Sequence, residues 1–285
     1  MNNSKVILIT GCSSGFGLIT AARLAKSGHR VIATMRDTSK KSALLSEVQK
    51  RDTKLDIKPL DVTDKDSVNA AIQSISEDYG YIDVLINNAG CGIGGAFEDL
   101  ADEEIRQVME TNFFGVQNVT RAAIPLMRPR KNGKIINISS ISGLYALPMF
   151  GAYNASKWAL EGFSESLRYE LQFFGIDVLL VEPGRYKTEI FKKNLHLAKN
   201  HDNKNSPHYE LSQHIRKLVT ERLKDCHKDN EDVAEHIEKL IHAKNPPFRS
   251  QPDIEAKVFL LARKILPFRL FSFILNKKLF KRFKK

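Results

Sequence analysis

Six short apolar runs alternate with stretches of helical periodicity, and no other feature restricts the fold as tightly. The runs are Lys5–Thr10, Arg30–Met35, Leu55–Leu60, Ile82–Ile86, Gly133–Ser139 and Ile176–Val181. They are rich in aliphatic and β-branched residues, the pattern of strands buried on both faces in a parallel sheet. Between them, Ser39–Arg51, Leu100–Met127 and Tyr153–Phe174 carry helical spacing. Strands and crossover helices in strict order predict an α/β chain with a doubly wound parallel sheet.

The first strand runs into Gly11-Cys-Ser-Ser-Gly15-Phe-Gly17 and then into a helical segment. A glycine turn between strand and helix lets backbone N–H groups meet a phosphate at the helix N-terminus. The spacing is G-x-x-x-G-x-G, and on its own a plain βα turn with packing glycines would serve. Arg36 follows the second strand, 19 residues after Gly17. An acidic residue in that zone holds a ribose 2′-hydroxyl, and an arginine accommodates a 2′-phosphate. Arg36 therefore favours NADP over NAD, while Asp37 reaches the ribose or pairs with Arg36. Asp61 ends the third strand, placed either in the ligand crevice or as a helix N-cap. Asn87 and Asn88 end the fourth, where their side-chain amides are expected to face the crevice.

Ser140 ends the fifth strand; Tyr153 comes thirteen residues later and Lys157 four beyond that. On a helix, Tyr153 and Lys157 lie on one face, one turn apart. A phenol titrates near pH ~10. A neighbouring ammonium favours the phenolate and lowers that pKa. Such a tyrosine can exchange a proton with an alcohol or carbonyl oxygen, and Ser140 can hydrogen-bond the same oxygen. Alone, Y-x-x-x-K is an ordinary helix pair; its surroundings give it weight. Asn112, a poor helix former, falls inside a helical stretch. It is either exposed or bonded to a water or a side chain there.

With 285 residues, 42% hydrophobic and 27% charged, the chain is long enough for one large domain. Cys12, Cys91 and Cys226 lack metal-ligand spacing, so no metal is expected, and they read as reduced thiols of a cytoplasmic protein. The first ten residues do not read as a signal peptide. Of the net charge of +11, ten units sit in residues 256–285, which carry ten Lys or Arg and no Asp or Glu. The remainder is nearly neutral, which argues against nucleic acid as a partner.

After Ile190 the pattern changes. A polar loop at 196–208 precedes helices expected at Glu210–Cys226 and Glu231–Ala243. We divide the chain into a cofactor-binding and catalytic domain, 1–255, with covering helices at 190–250, and a basic apolar tail, 256–285. The tail either caps a pocket or subunit contact, or anchors the protein peripherally on a membrane through a helix at Leu270–Phe283, split off by Pro267. On that helix Phe271, Ile274, Leu275 and Leu279 share a face.

Taken together, these residues resemble the short-chain dehydrogenase/reductase family over roughly residues 4 to 270. The motifs are TGCSSGFG at 10–17, DV at 61–62, NNAG at 87–90, Asn112, Ser140, YNASK at 153–157 and PGRYKT at 183–188. The strand at 31–37, VIATMRD, is similar to the NADP-dependent steroid and retinol dehydrogenase branch. Phe16 departs from the isoleucine usual in the family. The resemblance implies a single Rossmann domain with a C-terminal helical extension. It implies Asn112, Ser140, Tyr153 and Lys157 as the catalytic tetrad. It also implies cofactor contacts from Gly11, Ser13, Ser14, Gly15, Phe16 and Gly17 in the first turn. Further contacts come from Arg36, Asp61 and Val62, then from Asn88, Ala89 and Gly90. Tyr153 and Lys157 reach the nicotinamide side, together with Pro183, Gly184 and Thr188.

The function expected is NADP(H)-dependent interconversion of a carbonyl and an alcohol on a hydrophobic small molecule. Tyr153 is the acid and base, Lys157 tunes it, Ser140 polarises the substrate oxygen, and Asn112 holds a water linking Lys157 to solvent. Ile93, Leu144, Leu147, Met149, Phe150, Tyr186 and Phe191 are expected around an apolar alcohol, ketone or aldehyde. A non-catalytic nucleotide sensor would not need Ser140, Tyr153 and Lys157. A nucleotide-sugar epimerase or dehydratase usually carries G-x-x-G-x-x-G and a larger C-terminal domain. The helices at 100–127 and 153–174 carry Phe113, Val116, Val119, Leu160, Phe163, Leu167 and Leu171, too many to face one sheet. A homodimer or tetramer is therefore expected.

Overall fold

The computed structural model describes residues 4–186, 195–281 and 283. The chain opens with β1 (Val6–Ile9), α1 (Gly15–Lys26), β2 (Arg30–Met35), α2 (Ser42–Lys50), β3 (Asp56–Pro59), α3 (Lys65–Tyr79) and β4 (Val84–Asn87). A short β5 (Gly92–Gly94) follows, then α4 (Asp102–Met109), α5 (Gly115–Met127), β6 (Gly133–Ile138), α6 (Gly151–Leu171) and β7 (Ile176–Val181). The remainder is β8 (Leu195–Leu197), α7 (Tyr209–Lys224), α8 (Asn230–His242), β9 (Arg249–Ser250), α9 (Ile254–Ile265) and α10 (Phe268–Phe280).

Seven parallel strands form one sheet in the order β3-β2-β1-β4-β6-β7-β9. Each strand is fixed by neighbours of the same kind: Ile7 pairs with Val31 on one side and Val84 on the other. Alternate residues then feed two cores. Ile7, Ile9, Ala33 and Ile86 pack with Leu24, Leu44 and Ile237 from α1, α2 and α8. Val6, Leu8, Leu85 and Ile135 pack with Ile72, Val119 and Leu167 from α3, α5 and α6. Because both faces are covered, the inner strands read as apolar, while the edge strands β3 and β9 carry polar residues. The strand order reverses between β1 and β4. A crevice opens at their C-terminal ends, where such sheets bind ligands.

Five details differ from the sequence reading. The 100–127 helix is two helices, α4 and α5, joined by a π-helical turn over Glu110–Phe114 with Asn112 at its centre. Pro125 does not end α5 but lies within its last turn, where it forgoes the bond an N–H would make to the Arg121 carbonyl. A seventh strand, β9, adds to β7 through Leu180↔Arg249 and Val181↔Ser250. Two residues are too few for any periodicity to register. β5 and β8 form a separate parallel pair. In α10, Phe271 and Leu279 are buried rather than outward, because Phe271 packs edge-to-face on Phe259 at 5.3 Å. Among the described residues no helix is long and apolar enough to cross a membrane.

Candidate active site

A cleft of about 1030 Å³ lies along the switch between β1 and β4. Gly11, Ser13, Ser14, Gly15 and Phe16 form one wall; Arg36, Asp61, Val62, Asn88, Ala89 and Gly90 line the rest. The turn is held open by its glycines. Gly11 sits at φ +73°, and a Cβ there would meet Ala89 Cα at 2.7 Å. A Cβ at Gly17 would lie 2.5 Å from the Gly11 carbonyl oxygen and strike the Asn88 amide. Only glycine permits this close packing of helix on turn. The first turn of α1 carries no acidic residue, and the Ser14 N-cap makes no side-chain cap bond. The N–H groups at the start of α1 thus face the cleft unopposed, which fits the diphosphate of a dinucleotide.

Asparagines 87 and 88 serve differently from expectation. Asn87 is buried and donates to Thr120 Oγ1 and Asn137 Oδ1, so its amide does not reach the crevice. Asn88 lines the cleft, but its Nδ2 donates back to the Thr10 and Gly11 carbonyls at 2.9 and 3.0 Å. It fastens the glycine turn to the end of β4. The helix cap before α3 is Asp64, not Asp61. Asp61 accepts from Thr63 N and Oγ1 and lies 4.0 Å from the Arg36 guanidinium. Asp37 lines the cleft but does not pair with Arg36; its carboxylate takes the Ser39 N–H and hydroxyl and lies 3.4 Å from Lys40 Nζ. Arg36 stays largely exposed at the rim. Ser39, Lys40, Gln107 and Thr111 also line the cleft. Sequence reading missed them, although Lys40 sits only four residues past Arg36.

Behind Gly90, whose Cβ position lies 4.0 Å from Lys157 Nζ, α6 presents Tyr153 and Lys157 on one face, both buried. The Ser140 hydroxyl lies beside the phenol and accepts the Ser142 N–H at 3.1 Å. Lys157 Nζ donates to the Ile138 carbonyl at 2.8 Å and lies 5.9 Å from the Tyr153 ring centroid. The expected direction of the tyrosine shift is reversed here. Burial pushes the phenol up to about 12, against a lowering by the Ser140 hydrogen bond. Burial pushes the Lys157 ammonium down to about 8, partly opposed by Cys91 and Glu161. Desolvation outweighs mutual attraction because the ammonium is directed at the strand-end carbonyl.

Asn112 has no solvent exposure. Its Oδ1 accepts from Cys91 N at 2.9 Å, and its Nδ2 donates to Cys91 O at 2.9 Å and Ser156 Oγ at 3.0 Å. Both amide hydrogens are occupied, so any water-holding role falls to its oxygens. The π turn places this amide between the strand-end loop and α6, a common use of such turns.

Pro183 and Gly184 follow β7. The Pro183 carbonyl accepts from Ile141 N, and Gly184 N donates to Asp253 Oδ2 at 2.9 Å. Asp253 also caps α9; no sequence signal pointed to it. Thr188 and Phe191 lie outside the described residues. A second cavity, about 250 Å³, is lined by Gly94, Gly95, Met149, Phe150, Leu197 and residues of α7 such as Ile215, Val219 and Leu223. Met149 holds a left-handed backbone at φ +67°, and its carbonyl accepts from Gly95 N. Of the residues expected around substrate, Met149 and Phe150 line this cavity. Ile93 instead packs with Val108 and Ala152, and Tyr186 packs edge-to-face on Phe16 at 5.4 Å. Leu144 and Leu147 are half-buried elsewhere in the loop. Among the described residues no His, Cys, Asp and Glu cluster could hold a metal.

Comparison with known proteins agrees with this geometry. The family description "short chain dehydrogenase" matches residues 5–198. The uncharacterized oxidoreductase YusZ of Bacillus subtilis (strain 168) is 41% identical over 283 residues, covering 98% of this chain and 99% of that protein. A 3-ketodihydrosphingosine reductase of Bacteroides thetaiotaomicron is 41% identical over 247 residues, 87% of each chain. The crystal structure of an actinorhodin polyketide ketoreductase with NADPH superimposes with a TM-score of 0.74 at 31% identity, covering 88% of this chain and 96% of that one. The chain belongs to the short-chain dehydrogenase family. It is a nicotinamide-nucleotide-dependent oxidoreductase with a Rossmann-type sheet.

Proposed function

We propose that the protein uses NADP(H) to interconvert a carbonyl and an alcohol on a hydrophobic small molecule. The observation that carries the reading is the convergence of Ser140, Tyr153 and Lys157, from a strand end and one face of α6, directly behind Gly90 of a cleft with a glycine turn. The nicotinamide, when bound, gives or accepts the hydride. Tyr153 then passes its phenolic proton to the carbonyl oxygen, or takes one from the alcohol. Ser140 holds that oxygen in place. Lys157 contributes its positive charge beside the phenol and would hold the nicotinamide ribose. Asn112 locks the loop after β4 against α6. A screen of NADPH and NADH against apolar ketones and aldehydes tests the reading; no oxidation of either with any carbonyl would overturn it.

Arg36 supports the choice of NADP. The rim offers Arg36 and Lys40 to a 2′-phosphate, which would take over from the carboxylates now beside them, Asp61 at 4.0 Å from Arg36 and Asp37 at 3.4 Å from Lys40. A guanidinium forks onto phosphate in charge-assisted bonds. Arg36→Ala is expected to weaken NADPH binding about tenfold or more, with NADH nearly unchanged, by fluorescence titration. A wild type that prefers NADH would reject the assignment.

The apolar second cavity beside Met149 and Phe150 supports a hydrophobic substrate, as does the relative named for reducing a ketodihydrosphingosine. The proposal of a homodimer or tetramer now rests on other residues. Val116, Val119, Leu160, Leu167 and Leu171 all pack inward. Phe114 and Trp158 instead stand outward, 42% and 49% exposed. Light scattering at micromolar concentration is expected to give at least a dimer mass, lowered in Trp158→Glu.

A further inference from the structure

We propose that the outward face of α9 and α10 is a docking surface for an anionic lipid bilayer. Along α9, Ile254, Val258, Leu261 and Ile265 are exposed by 77%, 61%, 58% and 68%. Their spacing places them in one stripe down the whole helix. The opposite side is firmly seated. Ala256 is buried, and Phe259 lies 4.3 Å from the Tyr145 ring, in the loop after Ser140, and 5.3 Å from Phe271. The α9 N-cap, Asp253, accepts from Gly184 N and from Lys228 Nζ. The helix is therefore not exposed for want of packing; it is packed by one side and leaves an apolar side to solvent.

The next helix repeats the arrangement. Phe271 and Leu279 pack inward, and His214 of α7 bonds the Leu279 carbonyl at 2.8 Å. Phe268, Leu270, Phe273 and Ile274 stand outward. Eight of the fifteen large exposed apolar side chains among the described residues thus fall between Ile254 and Ile274. A patch so concentrated marks a contact surface rather than scattered surface hydrophobes.

Charge selects the occupant. Lys257 and Lys264 run along one edge of the α9 stripe, with Glu255 on the other side of its first turn, and Lys277 and Lys281 are exposed on and just after α10. From residue 256 onward there are ten Lys or Arg and no acid. A second copy seated by a two-fold axis would set this cationic face against itself. Anionic headgroups complement it, and the apolar stripe enters the acyl boundary beside the lysines. With no span-length helix among the described residues, the pair would lie in the plane of the interface.

The test is co-sedimentation of the full chain with phosphatidylcholine vesicles, with and without added phosphatidylglycerol, at low and high salt. Binding is expected only with the anionic lipid, falling at least about tenfold at high salt. Val258→Glu with Ile265→Glu is expected to reduce partitioning onto the anionic vesicles by at least about tenfold. Both side chains face solvent, so thermal stability and NADPH affinity should hold. Equal recovery in the supernatant with both lipids would overturn the proposal. So would a double variant that binds vesicles as wild type does but has a smaller mass without lipid, since that assigns the face to a second copy.

Discussion

Tyr153→Phe is expected to bind NADPH almost as wild type does and to lose at least about 10²-fold in turnover. The ring is buried on α6 and fills the same space in the variant. What disappears is one oxygen, the partner of Ser140. No other proton donor takes its place. Ser140 has a hydroxyl whose oxygen accepts the Ser142 N–H, and Lys157 is directed at the Ile138 carbonyl. Cys91 is mostly buried, and desolvation raises its thiol pKa. General acid–base groups contribute ~10²–10⁴-fold, so the loss lies in that range if Tyr153 is the sole exchanger. Single-turnover oxidation of NADPH separates this from slower product release. Turnover within about threefold of wild type would remove Tyr153 from the chemical step.

Elements built by local pattern were legible in the sequence. The six runs gave six strands of the sheet; five are covered on both faces and carry little polar alternation, and the third, Asp56–Pro59, is a partly exposed edge strand. Tyr153 and Lys157 were placed on one helical face by spacing alone. What was hidden depended on contacts distant in sequence. Nothing around Asn87 reveals that its amide turns sideways to Thr120 and Asn137 instead of into the crevice. Asp37 looked like a ribose ligand because it adjoins Arg36, yet its nearest donors are on Ser39, and the shorter reach wins. The tyrosine shift was misjudged for a related reason. Spacing along a helix reports proximity of Lys157 but not desolvation, which here is the larger effect. β9 and Asp253 come from the edge of the sheet, where a two-residue pairing leaves no sequence pattern.

Glu182→Gln is expected to raise stability progressively as pH increases from about 5 to about 8. Glu182 has no solvent exposure and Glu161 very little. Arg249 reaches Glu161 at 3.0 Å, Glu165 at 2.7 Å and Glu182 at 3.6 Å. One guanidinium cannot neutralise three carboxylates, and two of them are out of water. A proton therefore stays on the buried pair. Burial first, and Glu161 next, push Glu182 up to about 8, well above its ordinary value near 4.5. Glu161 is raised by burial as well. Below pH ~4.5 the Glu182 carboxyl is protonated folded or unfolded, so it confers no pH dependence. Between there and about 8 the unfolded chain releases the proton and the folded chain keeps it. The unfolded state binds fewer protons, so stability falls as pH rises, and the loss is complete above 8. Glutamine keeps the shape and the contact with Gln251 but does not titrate. Urea unfolding of both chains across this range should show the variant gaining relative to wild type, by on the order of a few kcal/mol at the alkaline end. The site matters beyond stability, because Glu182 precedes Pro183 and Gly184 while Glu161 lies one turn beyond Lys157 on α6. A difference between the two chains that does not change with pH would show that Glu182 is ionised throughout, with Arg249 as its counterion.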